Sequence, residues 1–179
     1  MTFWWDRARC VRADVPELEA VIFDIDAILA DPGLDGPIVC DLVWGLHCSG
    51  VRIAIATAGS HAQIEPLVRD LIGDGVVEVM VTSDEVSQPK PDPEVYLRVL
   101  DELGVSPAHA MAVEDCADGL RAARAAGLAT VVVADQEVHD QDFAGAAAVL
   151  PGYNGPQPLS AHSCRTLRER WWIGHQLTA

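Results

Sequence analysis

The chain has 179 residues, half of them hydrophobic, with 27 acidic against 12 basic side chains and a net charge of -15. That length suits one domain with a sizeable core, and the acidic balance argues against generic nucleic-acid binding, which relies on basic patches. No apolar run is long enough for a membrane span, and the start MTFWWDRARC lacks the basic-then-apolar layout of a secretory signal, so a cytoplasmic protein without membrane association is expected.

In chain order, Ala20 to Phe23 is an apolar, partly β-branched run that predicts a buried strand leading into Asp24. A helix is predicted from Ile38 to Cys48 with Gly50 as its stop, then a strand from Arg52 to Ala56 ending at Thr57. Ala62 to Ile72 predicts a second helix and Val76 to Val81 a third strand. Pro93 opens the next helix, which closes near Gly104. Ala110 to Val113 predicts a fourth strand, Cys116 to Ala126 a helix stopped by Gly127, and Thr130 to Val133 a fifth strand. Strands alternate with helices, and the strands are continuous apolar runs. That pattern predicts an α/β fold whose parallel sheet is covered on both faces. From Pro151 the pattern fails. PGYNGPQPLS reads as a linker, and the tail from Cys164 to Ala179 as one short helix. The predicted organisation is an N-terminal extension over 1–18, a core over 19–150, and a linker with a Trp-containing tail over 151–179.

Five cysteines, Cys10, Cys40, Cys48, Cys116 and Cys164, form no CxxC pair and no zinc-type spacing. They read as reduced thiols, mostly packing residues.

A covered parallel sheet binds ligands at the carboxyl ends of its strands. Polar residues fall at those ends. Asp24 and Asp26 follow the first strand, Thr57 ends the second, Lys90 lies in the loop after the third, and Glu114 and Asp115 end the fourth. Any one of them is compatible with a helix cap or a turn. Together, four segments deliver polar groups to one edge. Lys90 is also the only lysine in the chain, in the stiff setting SQPKPDPEVY, which suits a site needing a compact ammonium rather than a guanidinium fork. Four carboxylates need a cation among them, and oxygen ligands suit Mg²⁺ completed by a substrate phosphate. Asp24 then has the chemistry of a carboxylate nucleophile, and Asp26 that of an acid and base if the chain turns after Asp24. Thr57 offers a hydroxyl to a phosphate oxygen, and Lys90 offsets the charge of the nucleophile and the phosphoryl group.

FDID at Phe23 to Asp26, Thr57 after an apolar strand, KPDPEVY from Lys90, and EDCADGLRAARAAG from Glu114 resemble the four motifs of the haloacid dehalogenase superfamily. The resemblance covers roughly Glu19 to Asp135. It implies a three-layer, doubly wound, Rossmann-like sheet of five to six strands, Mg²⁺, and an aspartyl-phosphate intermediate. It also implies Asp24 as nucleophile and Asp26 as general acid and base. Asp24, the carbonyl of Asp26 and Asp115 would bind the metal with Glu114 assisting, while Thr57, Ala58 and Lys90 would hold phosphate. An acid two positions after the nucleophile points to phosphoryl rather than carbon–halogen chemistry. The implied substrate is a phosphorylated small molecule or phosphoprotein.

Three departures stand out. Ala27 follows the second Asp where glycine is common, and Ala58 stands where asparagine is frequent but still offers a backbone N–H. Cys116 replaces the usual Ser or Thr, a departure read as a packing or helix-start substitution. The helical cap domain of related sequences also has no room at either insertion point, so a capless core is expected. That leaves two functional readings: a phosphatase, or a catalytically weak or inactive binding module that keeps the pocket. Trp4, Trp5, Trp171 and Trp172 bring apolar area to both ends. Packing on the domain's own flank accounts for them, with a homodimer contact or makeshift lid as the alternative.

Overall fold

The structure is a computed structural model and describes residues 15–25, 36–134, 142–153 and 158–176. Asp26, Ala27, Trp4 and Trp5 lie outside the described residues.

Among the described residues, six strands form one sheet: β1 (Ala20–Phe23), β2 (Arg52–Ala56), β3 (Val77–Val81), β4 (Ala110–Glu114), β5 (Ala129–Val133) and β6 (Ala148–Leu150). Their order is β3-β2-β1-β4-β5-β6, and every pairing is parallel. β1 is central, pairing Phe23 with Ile55 on one side and with Val113 on the other. The chain winds outward from β1 in both directions, so the crevice beyond Phe23 is the switch point where such sheets bind ligands.

The helices are α1 (Gly36–Cys48), α2 (His61–Ile72), α3 (Glu94–Leu103), α4 (Ala117–Ala125) and α5 (Ala161–Gln176). Successive side chains of a strand point to opposite faces, and β1 divides accordingly. Val21 and Phe23 join the core under α1, α2 and α5, with Val39, Val43, Leu46, Ile64 and Cys164. Ala20 and Ile22 join the other core, under α3 and α4, with Tyr96, Val99, Leu103 and Ala122. Both faces are apolar because both are covered, which is why the strands lack a polar stripe. Each fully buried Ile, Val or Phe contributes roughly 1.5–3 kcal/mol to holding the layers together.

Predicted and observed elements agree closely from β1 to β5. α3 follows Pro93 and ends at Gly104, whose φ of 64° is left-handed, a conformation glycine adopts without steric cost. Strand β6 has only three residues, too few for a periodic signal, and it exists because its backbone pairs with β5. The C-terminal region differs more from expectation. α5 runs for sixteen residues rather than forming a short helix. Within the Pro/Gly-rich stretch read as a linker, Tyr153 and Leu159 are buried in the α1–α2 core. Cys164, Leu167, Arg168 and Trp171 are spaced to share one helical face. Cys164 is fully buried, Leu167 and Trp171 pack against the core, and Arg168 donates from both terminal nitrogens to the Pro16 carbonyl.

Among the described residues no helical domain interrupts the layers. The chain from Phe23 to Gly36 is too short for one, and only α2, β3 and a single 3-10 turn lie between β2 and Lys90. No described helix is long and apolar enough to cross a membrane.

Candidate active site

Asp24 is the first residue beyond β1. Its N–H donates to Val113 O at 2.9 Å, extending the β1–β4 ladder by one rung and fixing the backbone that carries the carboxylate. The residue is 3% exposed. Thr57 is held the same way at the end of β2, its N–H donating to Val81 O at 3.1 Å. Its hydroxyl accepts from Gly59 N–H at 3.0 Å, and the tight turn 57–60 leads directly into α2. Ala58, in that turn, is exposed.

Lys90 reaches this edge from the loop before α3. Glu94 holds the loop in shape, accepting from the N–H groups of Ser87 at 2.9 Å and Gln88 at 2.8 Å. The Lys90 side chain is only 7% exposed. Its ammonium donates to Asp24 Oδ2 and Glu114 Oε1, each at 2.7 Å, and to Ala56 O at 3.2 Å. An ammonium has three donors, and all three are used. Removing a charge from water is costly unless it is paired. Here burial alone would lower the lysine's pKa, but the Glu114 and Asp24 charges outweigh it and drive the pKa above its ordinary value. Lys90 is therefore a fixed cation.

Glu114 ends β4 and is 0% exposed. Its Oε1 accepts from Lys90 and also from the Tyr96 hydroxyl. Burial pushes this carboxyl well above the usual range, partly opposed by the Lys90 charge. A Cβ built on Gly119 would fall inside the Glu114 carboxylate, so glycine at that point of α4 is a matter of space. Asp115, half-buried, is also pushed up, first by burial and then by the negative charge of Asp24. Cys116 caps α4, its Sγ accepting from Gly119 N–H at 3.4 Å. Burial pushes the thiol up to about 12, so it stays protonated at neutral pH. The helix-start reading of Cys116 agrees with this position.

The described part of the site thus sets Asp24, Glu114 and Asp115 against one ammonium. Ligand atoms of Glu114, Asp115 and Cys116 lie within 4.8 Å of one another. A protonated thiol is a poor partner for a hard cation, and Glu114 Oε1 already receives two donors. Asp24 and Asp115 are the better oxygen donors. The donor set fits a hard divalent ion such as Mg²⁺. Of the residues expected at the site, Asp24, Thr57, Lys90, Glu114 and Asp115 converge on the carboxyl edge, with Ala58 in the turn beside Thr57. Asp26 lies outside the described residues. Tyr96 and Gly119 fall inside the KPDPEVY and EDCADG motifs, but only the folded geometry brings them to Glu114.

A model of the haloacid dehalogenase-like hydrolases matches residues 4–127. The chain belongs to that family. The matched span contains Asp24, Thr57, Lys90, Glu114 and Asp115, the residues gathered at the carboxyl edge of the sheet. Among curated relatives, Protein CbbY of Rhodobacter capsulatus is 40% identical over 119 residues, 64% of this chain and 52% of that protein. The chain spans about half the length of such curated relatives. The crystal structure of CbbY from Rhodobacter sphaeroides in complex with phosphate has a TM-score of 0.62 at 34% identity, covering 69% of this chain and 56% of that one. An Asp-to-Asn mutant of the same CbbY, with the same TM-score, identity and coverage, was crystallised with xylulose-(1,5)bisphosphate. β-Phosphoglucomutase from Clostridium difficile shares the fold, with a TM-score of 0.63 at 19% identity over 78% of this chain and 58% of that one.

Proposed function

We propose that this hydrolase-family chain is a Mg²⁺-dependent phosphohydrolase that acts on a phosphorylated sugar through an aspartyl-phosphate intermediate. The observation that carries the reading is the buried Lys90 ammonium, 2.7 Å from Asp24 Oδ2. A carboxylate held beside a fixed cation at the switch point is placed to receive a phosphoryl group and to have the gathering charge offset.

Asp24 attacks phosphorus, forming a bond between its carboxylate oxygen and phosphorus while the bond to the ester oxygen breaks. Asp26 protonates the departing oxygen, then takes a proton from the water that attacks the acyl phosphate. Inorganic phosphate leaves and Asp24 is regenerated. The Thr57 hydroxyl and the Ala58 N–H hold phosphate oxygens, and Lys90 faces the transferring group. Asp24, Asp115 and the Asp26 carbonyl would hold Mg²⁺ with Glu114 nearby, and the ion supplies charge neutralisation for the phosphoryl group when bound.

The sugar preference is supported by the xylulose-(1,5)bisphosphate bound to the R. sphaeroides relative. Free thiols at Cys40, Cys48, Cys116 and Cys164 support a reducing, cytoplasmic setting. A homodimer through the Trp-containing ends finds less support, because Trp171 packs against the core of its own chain.

The test is magnesium-dependent release of phosphate from a panel of sugar phosphates, an aryl phosphate and phosphopeptides, comparing wild type with Asp24→Asn. Turnover by wild type alone, fastest on sugar phosphates, is expected. Equal inactivity of both proteins across the panel would instead leave the family's pocket as a binding module.

A further inference from the structure

We propose that Tyr96 is a positioning residue for Lys90, acting through Glu114; its consequence for turnover rests on the phosphohydrolase reading above. Tyr96 sits on α3 and is fully buried. Its hydroxyl donates to Glu114 Oε1, the same oxygen that accepts from Lys90 Nζ. Its ring stands behind the ammonium, 5.3 Å from Nζ to the ring centroid, near enough for a cation–π attraction. One side chain therefore supplies both a wall for the cation and an anchor for its counter-ion.

The anchor is needed because a carboxylate facing lysine alone retains a terminal rotation that is broad and roughly two-fold. Two donors on a single oxygen select one orientation. Gly119 completes the arrangement from the other side: a Cβ there would overlap the Glu114 carboxylate, so α4 approaches by backbone alone. α3, β4 and α4 together fix Glu114, and Glu114 with Ala56 O leaves Lys90 one donor, which points at Asp24. The buried tyrosine thus sets the direction of the catalytic ammonium without touching the reacting atoms.

Lys90 is the only lysine in the chain, so reductive methylation with formaldehyde and cyanoborohydride reports on Lys90 and the terminal amine, which serves as internal reference. Rates are read by peptide mass spectrometry on the folded, metal-free protein. In Tyr96→Phe, which keeps the ring, Lys90 should be methylated about ten-fold faster than in wild type, the scale set by losing a hydrogen bond to a charged group. Gly119→Ala, which displaces the carboxylate from the opposite side, should also expose Lys90 to methylation. In a Glu114→Gln background, Tyr96→Phe should add nothing, as expected for residues acting as one unit. With an aryl phosphate, kcat of Tyr96→Phe should fall by about ten-fold while KM stays within about two-fold. Unchanged methylation in folded Tyr96→Phe, or additive effects with Glu114→Gln, would overturn the proposal. If Tyr96→Phe fails to fold, Tyr96→Met, which keeps apolar bulk and removes the hydroxyl, decides by the same rate. A wild type without magnesium-dependent turnover would defeat the phosphatase reading, yet the methylation rates would still decide the role of Tyr96.

Discussion

Lys90 and Asp24 are 66 positions apart in the chain, yet their charged groups lie 2.7 Å apart and almost out of reach of water. A compact ammonium satisfies Asp24, Glu114 and Ala56 O at once. A guanidinium presents its donors in a planar fork and cannot point three of them at acceptors converging on one centre.

Lys90→Arg should therefore reduce kcat by about 10²–10³-fold although it conserves charge, the loss typical of a misplaced transition-state donor. Steady-state kinetics on an aryl phosphate, with circular dichroism as a folding control, check this. Near-normal turnover would mean that Lys90 supplies only a diffuse positive potential.

The C-terminal helix should behave as part of the domain. Arg168 is 2% exposed and donates to Pro16 O, tying α5 to the segment before β1. Arg168→Ala removes that tie and buried packing, at a cost of about 2–3 kcal/mol, read as a lower urea midpoint. A chain cut after Leu150 loses Tyr153, Leu159 and Cys164 from the core and should fail to fold cooperatively.

At the start of α4, a hydroxyl is a better cap than a thiol. Cys116→Ser should raise stability by about 0.5–1 kcal/mol, seen as a higher thermal midpoint, with turnover retained.

The thiols should separate by environment. Cys48 is exposed and should react with Ellman's reagent in the folded protein. Burial pushes both Cys116 and Cys164 up to about 12 from an ordinary 9, so both should resist until the chain unfolds. Between those values the unfolded thiols ionise and the folded ones do not. The unfolded state then binds fewer protons, and stability should fall as pH rises from about 9 towards 12. Cys164→Ala should make the urea midpoint less steep in that range.

The order of elements and the set of polar residues at the carboxyl edge were legible in the amino-acid sequence itself. Strands β1 to β5 are apolar runs bounded by turn residues, and helices α1, α3 and α4 carry glycine stops at Gly50, Gly104 and Gly127. These signals are local and survive in one dimension. β6 and the packing of α5 were not legible, because a three-residue strand exists only through its partner and a sparse apolar face needs a core to receive it. The chemistry divides along the same line. Sequence determined which groups are available: one lysine, an aspartate after β1, a Glu-Asp pair at the end of β4, and a threonine after β2. Tertiary structure decided how they are used. Winding the sheet outward from β1 brought Lys90 between Asp24 and Glu114, where burial makes each charge depend on the others. It also placed Tyr96 and Gly119 against Glu114, a relation that no spacing along the chain encodes because the contacts come from separate elements on two sides of one carboxylate.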